Sequence, residues 1–117
     1  MNTIEAAIED IKAGKMVVVV DDEDRENEGD LLMAADKVDK EAINFMIKKA
    51  RGLVCTPLEE EVVRDLDLPM MVEENTETHG TAFTVSVDHK DVTTGISAQE
   101  RALTIQKLVD FDSKAGD

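Results

Sequence analysis

The stretch Met16-Val17-Val18-Val19-Val20-Asp21-Asp22-Glu23-Asp24-Arg25-Glu26-Asn27-Glu28-Gly29-Asp30-Leu31-Leu32-Met33-Ala34-Ala35 decides how this chain is read. Its first five residues are continuously apolar and largely β-branched, which predicts a strand buried on both faces rather than one with a wet side. Seven of the next ten residues are acidic. The apolar residues 31–35 that follow predict a partner strand. The carboxylates are thereby delivered to one edge of a sheet, where like-charge repulsion is costly unless a cation or an acid/base task makes use of them. Acidic runs are most often plain solvated loops. Here Arg25 is embedded among the acids and Gly29 punctuates the run before the second strand, features that a purely solubilising loop does not need.

Outward from this stretch, helical and strand patterns alternate. Ile4, Ala7, Ile8 and Ile11 share one helical face, and Gly14 is placed to end that helix. Asp39 predicts an N-cap for a helix with Ile43, Met46, Ile47 and Ala50 on one stripe, closed by Lys48, Lys49 and Arg51 before Gly52. Leu53-Val54-Cys55 reads as a short strand. Thr56-Pro57-Leu58-Glu59 reads as a capping box that opens a helix ending before Pro69. Residues 69–80 lack a period and read as a polar loop of functional length. Residues 82–87 alternate, with Phe83, Val85 and Val87 on one side, and predict a half-buried strand. Ser97 and Glu100 form a second capping box, before a helix with Ala102, Ile105 and Val109 inward. The expected class is α+β, an α/β sandwich within one domain.

Composition sets the outer limits. A chain of 117 residues suits a single core. Its net charge of -14 excludes a nucleic-acid or anionic-membrane surface, because phosphate arrays need a basic face. A phosphorylated ligand must be held by a metal, a few basic side chains or a helix N-terminus. The single cysteine, Cys55, leaves no intramolecular disulfide and fits a reducing, cytoplasmic setting. The sequence contains no membrane-length apolar run, and Met1-Asn2-Thr3-Ile4-Glu5 is no signal start. With three Phe and neither Trp nor Tyr, the core must be aliphatic.

The motifs divide by chemistry. Asp24, Glu26, Glu28 and Gly29 match early positions of a calcium-binding EF-hand, but the twelfth position is Ala35, where a bidentate acid is required. A magnesium site is more readily met, since that ion takes one or two carboxylates and keeps water or substrate oxygens elsewhere. Were the segment extended, Glu26, Glu28 and Asp30 would project to one face. Cys55, at a strand end before a capped helix, reads either as a small core residue or as a thiol activated by the helix N-terminus. His79 and His89, each beside a turn or strand end, are ambiguous: an exposed structural histidine is the default reading and a catalytic one the exception. Thr93-Thr94-Gly95-Ile96-Ser97, ahead of a helix, reads as an N-cap with its turn or as a cradle whose backbone N–H groups and hydroxyls meet a phosphate.

Five ordered blocks give the sequence a family resemblance. Val20-Asp21-Asp22-Glu23-Asp24-Arg25-Glu26-Asn27-Glu28-Gly29-Asp30, Arg51-Gly52-Leu53-Val54-Cys55, Leu66-Asp67-Leu68-Pro69-Met70-Met71-Val72, Gly80-Thr81-Ala82-Phe83-Thr84-Val85 and Thr93-Thr94-Gly95-Ile96-Ser97-Ala98 resemble, in this order, the 3,4-dihydroxy-2-butanone 4-phosphate synthases of riboflavin biosynthesis. The resemblance implies a lyase that converts D-ribulose 5-phosphate to L-3,4-dihydroxy-2-butanone 4-phosphate and formate with magnesium or manganese. It implies substrate contacts from Arg25, Glu26, Asp30 and Thr94, metal ligation by Glu26, and active-site places for Glu28 and Cys55. The implied fold is a three-layer sandwich around a mixed β-sheet with flanking helices, usually a homodimer with its sites near the subunit interface.

The family pattern continues past position 117 into an Arg-Pro-Gly-His stretch and a Gly-His-Thr-Glu stretch. The second supplies a metal-ligating histidine, and a glutamate beyond it is catalytic. His79 and His89 match neither stretch. The expectation is therefore the N-terminal portion, residues 1–117, of one synthase domain, incomplete at its C-terminal end, in some bacteria fused to GTP cyclohydrolase II. These residues alone are expected to be inactive and to leave residues 17–20 and 83–87 uncovered. The alternative is a non-catalytic acidic module that binds a divalent cation or a partner on the same framework. Glu100, at a helix start where the family often carries Asp, is a minor departure.

Overall fold

The computed structural model describes residues 2–117. Helix α1, Ile4–Lys12, starts where Thr3 Oγ1 accepts the Ala6 N–H at 3.2 Å, with Glu5 in its first turn and Lys12 in its last, each complementing the helix dipole. The chain turns at Gly14 into strand β1, Val17–Val20, which pairs antiparallel with strand β2, Gly29–Leu32. The register sets Val17 against Leu32, Val18 against Leu31, Val19 against Asp30 and Val20 against Gly29. The partner strand thus begins two residues before the predicted apolar stretch, and Asp30 lies inside the ladder.

Helix α2, Lys40–Phe45, is capped by Asp39, whose Oδ1 accepts the Ala42 N–H at 2.8 Å. It runs on through a wider π turn, Met46–Ala50, and stops at Arg51, which has a φ of 62°. Helix α4, Ala98–Leu108, begins at Ser97 as predicted, with the hydroxyl accepting the Glu100 N–H. The core forms where α2 packs on α4: Ile43 is fully buried, and Val38, Ala102 and Ile105 close around it. Gln106 Nε2 bonds the Val38 carbonyl at 2.6 Å and ties α4 to the entry of α2.

Four local expectations change. Residues 53–55 are irregular rather than a strand. Helix α3 is short, Glu60–Asp65, and Glu59 at its N-cap makes no side-chain bond, so the capping box expected from Thr56 does not form. Pro57 disfavours helical geometry at Thr56, and Glu60 and Glu61 supply the negative charge at the helix start instead. Residues 82–87 form a single bridge, Met70 to Thr84, flanked by the bonds Met71 N–H to Phe83 O and Val85 N–H to Pro69 O. Strand β1 is not buried on both faces: Val18 is 67% exposed, and Val19, Val20, Phe83, Val85 and Val87 are open as well. Among the described residues the sheet is one two-stranded ribbon, which has no second layer to lay over these side chains. The chain is nevertheless α+β, as expected, with its helical core beside the ribbon. Among the described residues no helix is long and apolar enough to cross a membrane.

Candidate active site

The acidic residues occupy the connection between β1 and β2. Asp21 organises it: Oδ2 accepts the Glu26 N–H and Oδ1 the Glu28 N–H, both at 2.8 Å, while its own N–H bonds the Glu28 carbonyl at 3.3 Å. These donors, Glu28 first and Glu26 second, hold the Asp21 carboxyl below the usual carboxylate range. The chain turns through Arg25, whose N–H bonds the Asp22 carbonyl, and Asn27 adopts a left-handed φ of 53° that Asn tolerates better than most residues. This breaks the extended path expected for Glu26, Glu28 and Asp30, so period-two alternation does not relate Glu26 to the other two. Arg25 Nη2 stands 4.0 Å from Glu26 Oε1, with both side chains open to solvent.

A second organised turn precedes α4. Glu100 Oε1 accepts both the N–H and the hydroxyl of Thr93 at 2.7 Å, and Oε2 accepts the Ser97 hydroxyl at 3.3 Å. Thr93, through its N–H and then its hydroxyl, holds the Glu100 carboxyl low, and Ser97 adds to this. Arg101 Nε donates to the Ile96 carbonyl at 2.9 Å. Between these ties Thr94 is exposed, and Gly95 turns with a φ of +70° against the Asp88 carboxylate, where a Cβ would collide.

Cys55 is exposed, with its thiol 3.9 Å from the Leu53 carbonyl. Helix α3 starts five residues later, at Glu60, so no helix N-terminus adjoins the thiol and that argument for its activation falls away. His89 is buried rather than exposed: its Nδ1 accepts the Asp91 N–H at 3.3 Å within a turn, a structural role. The hairpin therefore gathers Arg25, Glu26, Glu28 and Asp30, while Cys55 and Thr94 sit on separate segments. Asp21 is the clamp of the loop, a role its residue type among seven acids does not single out, although an Asp opening a turn is a known signal for such bonds. Glu100 reads from its spacing only as a helix cap.

The donors of the hairpin are hard carboxylate oxygens. They suit a cation that keeps water or substrate ligands beside one or two protein carboxylates. Among the described residues no three His, Cys, Asp or Glu side chains converge as a full cage.

The family pattern of 3,4-dihydroxy-2-butanone 4-phosphate synthase matches residues 5–117. The chain belongs to this synthase family. It is 55% identical over 115 residues to a 3,4-dihydroxy-2-butanone 4-phosphate synthase of Campylobacter jejuni, covering 98% of this chain and 34% of that protein. It is also 55% identical over 114 residues to the riboflavin biosynthesis protein RibBA of Bacillus subtilis, covering 97% of this chain and 29% of that one. A crystal structure of a synthase in complex with two magnesium ions superposes with a TM-score of 0.93 at 46% identity, over 97% of this chain and 54% of that one. A two-domain synthase of A. baumannii superposes with a TM-score of 0.87 at 53% identity, over 97% and 33%. The chain thus spans about a third of these curated relatives and about half of the magnesium-bound synthase.

Proposed function

We propose that this chain is the N-terminal portion of a single synthase domain that converts D-ribulose 5-phosphate to L-3,4-dihydroxy-2-butanone 4-phosphate and formate in the cytoplasm. The observation that carries the reading is the acidic hairpin: the loop that resembles the family's signature is held by Asp21, so that Arg25, Glu26 and Glu28 leave one ordered turn. Family membership favours this over a non-catalytic acidic module.

Within it, Arg25 offers planar, charge-assisted donors to the sugar phosphate. Asp30, held in the β2 ladder, accepts from substrate hydroxyls, and Thr94 meets the phosphate from the turn before α4. Glu28 and Cys55 take the proton-handling places, because enolising a ketose needs a base and the skeletal shift needs its protons returned. Glu26 is the metal ligand that this chain contributes. Magnesium or manganese, when bound, offsets negative charge developing on adjacent substrate oxygens. The magnesium-bound relative supports a divalent cation. A homodimer is part of the reading, and the uncovered side chains of β1 are apolar surface of the kind that association buries.

The test is Glu26→Gln in the full natural chain, which keeps shape and removes charge. Formate release should fall by at least about a hundredfold, the scale of a lost electrostatic contact to the transition state, with folding intact and manganese binding weakened. Wild-type turnover and metal affinity would remove Glu26 from the site.

A further inference from the structure

Building on the assignment of Thr94 to the substrate phosphate, we infer that Glu100 is a positioning residue, which sets the phosphate turn rather than merely capping α4. A capping box needs only a Ser hydroxyl on the N3 amide and a glutamate reaching back to the cap residue. Here the first half is present, with Ser97 Oγ accepting the Glu100 N–H at 3.1 Å. The carboxylate goes further, past Ser97 to Thr93, and its Oε1 takes both Thr93 donors at 2.7 Å.

The turn is tied at both ends. Thr93 and Ser97 are held by Glu100, and Ile96 is held through its carbonyl by the guanidinium of the neighbouring Arg101. Only Thr94 and Gly95 lie between the ties, and the backbone of Gly95 is already confined by Asp88. An ionised carboxylate accepts only, so three facing donors answer the charge of Glu100 and draw the turn toward the first turn of α4. Gln is a weaker replacement: its carbonyl oxygen can accept both Thr93 donors and its amide can donate to the Ser97 hydroxyl, but the negative charge that strengthens these bonds is lost. Asp keeps the charge and two acceptors on a shorter arm.

The experiment measures steady-state kinetics of the full natural chain with D-ribulose 5-phosphate, together with inhibition by inorganic phosphate. For Glu100→Gln, KM and the phosphate inhibition constant should both rise about tenfold while kcat stays within about twofold, as expected when a charge-assisted bond that orients a binding group is lost. Glu100→Asp should recover most of that loss. Thr93→Val, which deletes one of the two Thr93 donors without touching the helix cap, should move both constants in the same direction by less.

Should Glu100→Gln not fold, Thr93→Val decides alone: a raised KM supports the positioning role and a wild-type KM overturns it. Thr94→Ala separates this role from the reading beneath it. If Thr94→Ala raises both constants while folded Glu100→Gln and Thr93→Val leave them at wild type, the positioning role fails and the phosphate assignment survives. If Thr94→Ala leaves both constants unchanged, the phosphate assignment itself falls and the positioning role falls with it.

Discussion

The loop between β1 and β2 and the turn before α4 are built by the same device, a carboxylate that accepts short hydrogen bonds from its own turn, through backbone N–H groups in the first and through the N–H and hydroxyl of Thr93 in the second, yet they stand on different foundations. Asp21 holds the first by two bonds of 2.8 Å, and Glu100 holds the second by two of 2.7 Å. The first rides on a two-stranded ribbon whose Val18, Val19 and Val20 are open to water. The second rides on a helix whose next turns place Ala102, Thr104 and Ile105 in the core. Short local bonds give either segment its shape, but only packing ties that shape to the stability of the whole chain.

The largest effect should come from breaking that tie at its centre. Ile43 is 0% exposed and packs α2 on α4, so Ile43→Ala should cost about 2–5 kcal/mol through lost burial and the cavity left behind. Amide exchange should then quicken at Thr93, Ser97 and Glu100 together with the core. The pairs of the β1–β2 ribbon should respond less, and an equal response at both sites would abolish the distinction drawn between them.

Gly95→Ala attacks the same turn from within. A side chain at a φ of +70° is strained, and its Cβ would meet the Asp88 carboxylate, so this variant should lose about 1–3 kcal/mol. Thermal unfolding of Gly95→Ala beside Asp88→Gly/Gly95→Ala separates the two causes: relief in the double variant measures the collision, and what remains measures the backbone.

The parts of the molecule that were legible in the sequence are those whose energy is local. Asp39 and Ser97 were readable as caps because a cap bond spans three residues and needs nothing else. The stripe of Ile43, Met46 and Ile47 was readable for the same reason, since its period is intrinsic to the helix. Val18 and Val19 were read as doubly buried, but burial depends on layers that a strand does not carry itself. Residues 53–55 and 82–87 have strand composition without the neighbours that make a ladder. At the site, the acids were visible as residue types, whereas the turn at Asn27 and the reach of Glu100 to Thr93 depend on backbone paths that spacing does not encode.

Asp21→Asn should act locally. The amide retains one acceptor where the carboxylate offers two, so the Glu26 and Glu28 N–H groups lose a charge-assisted partner. Their exchange should accelerate while the thermal midpoint hardly moves, because the loop stands on an exposed ribbon. A large drop in the midpoint would show that the ribbon is as firmly anchored as α4. In the full natural chain, the same substitution should weaken the metal binding proposed for Glu26 less than Glu26→Gln does.

The smallest effect is expected in acid, where three carboxylate-held segments can be compared on one scale. Glu77 is a third example: the N–H groups of His79 and then Thr81 pull its carboxyl down to about 2. A carboxyl lowered on folding stabilises above its unfolded value and loses that contribution as pH falls through its folded value. The hold of Glu77 on residues 79–81 should therefore be complete above its ordinary 4.5 and decline between there and about 2. Asp21 and Glu100, lowered by the same kind of donor, should loosen in the same direction, each beginning below its ordinary value. Amide exchange followed from neutral pH into acid, corrected for the intrinsic pH dependence of exchange, measures all three. Release of Glu26 and Glu28 should proceed without unfolding of the core, whereas release of Thr93 should be resisted by α4. Loosening of any of the three segments already at pH 6 would mean that its carboxylate is not what holds it.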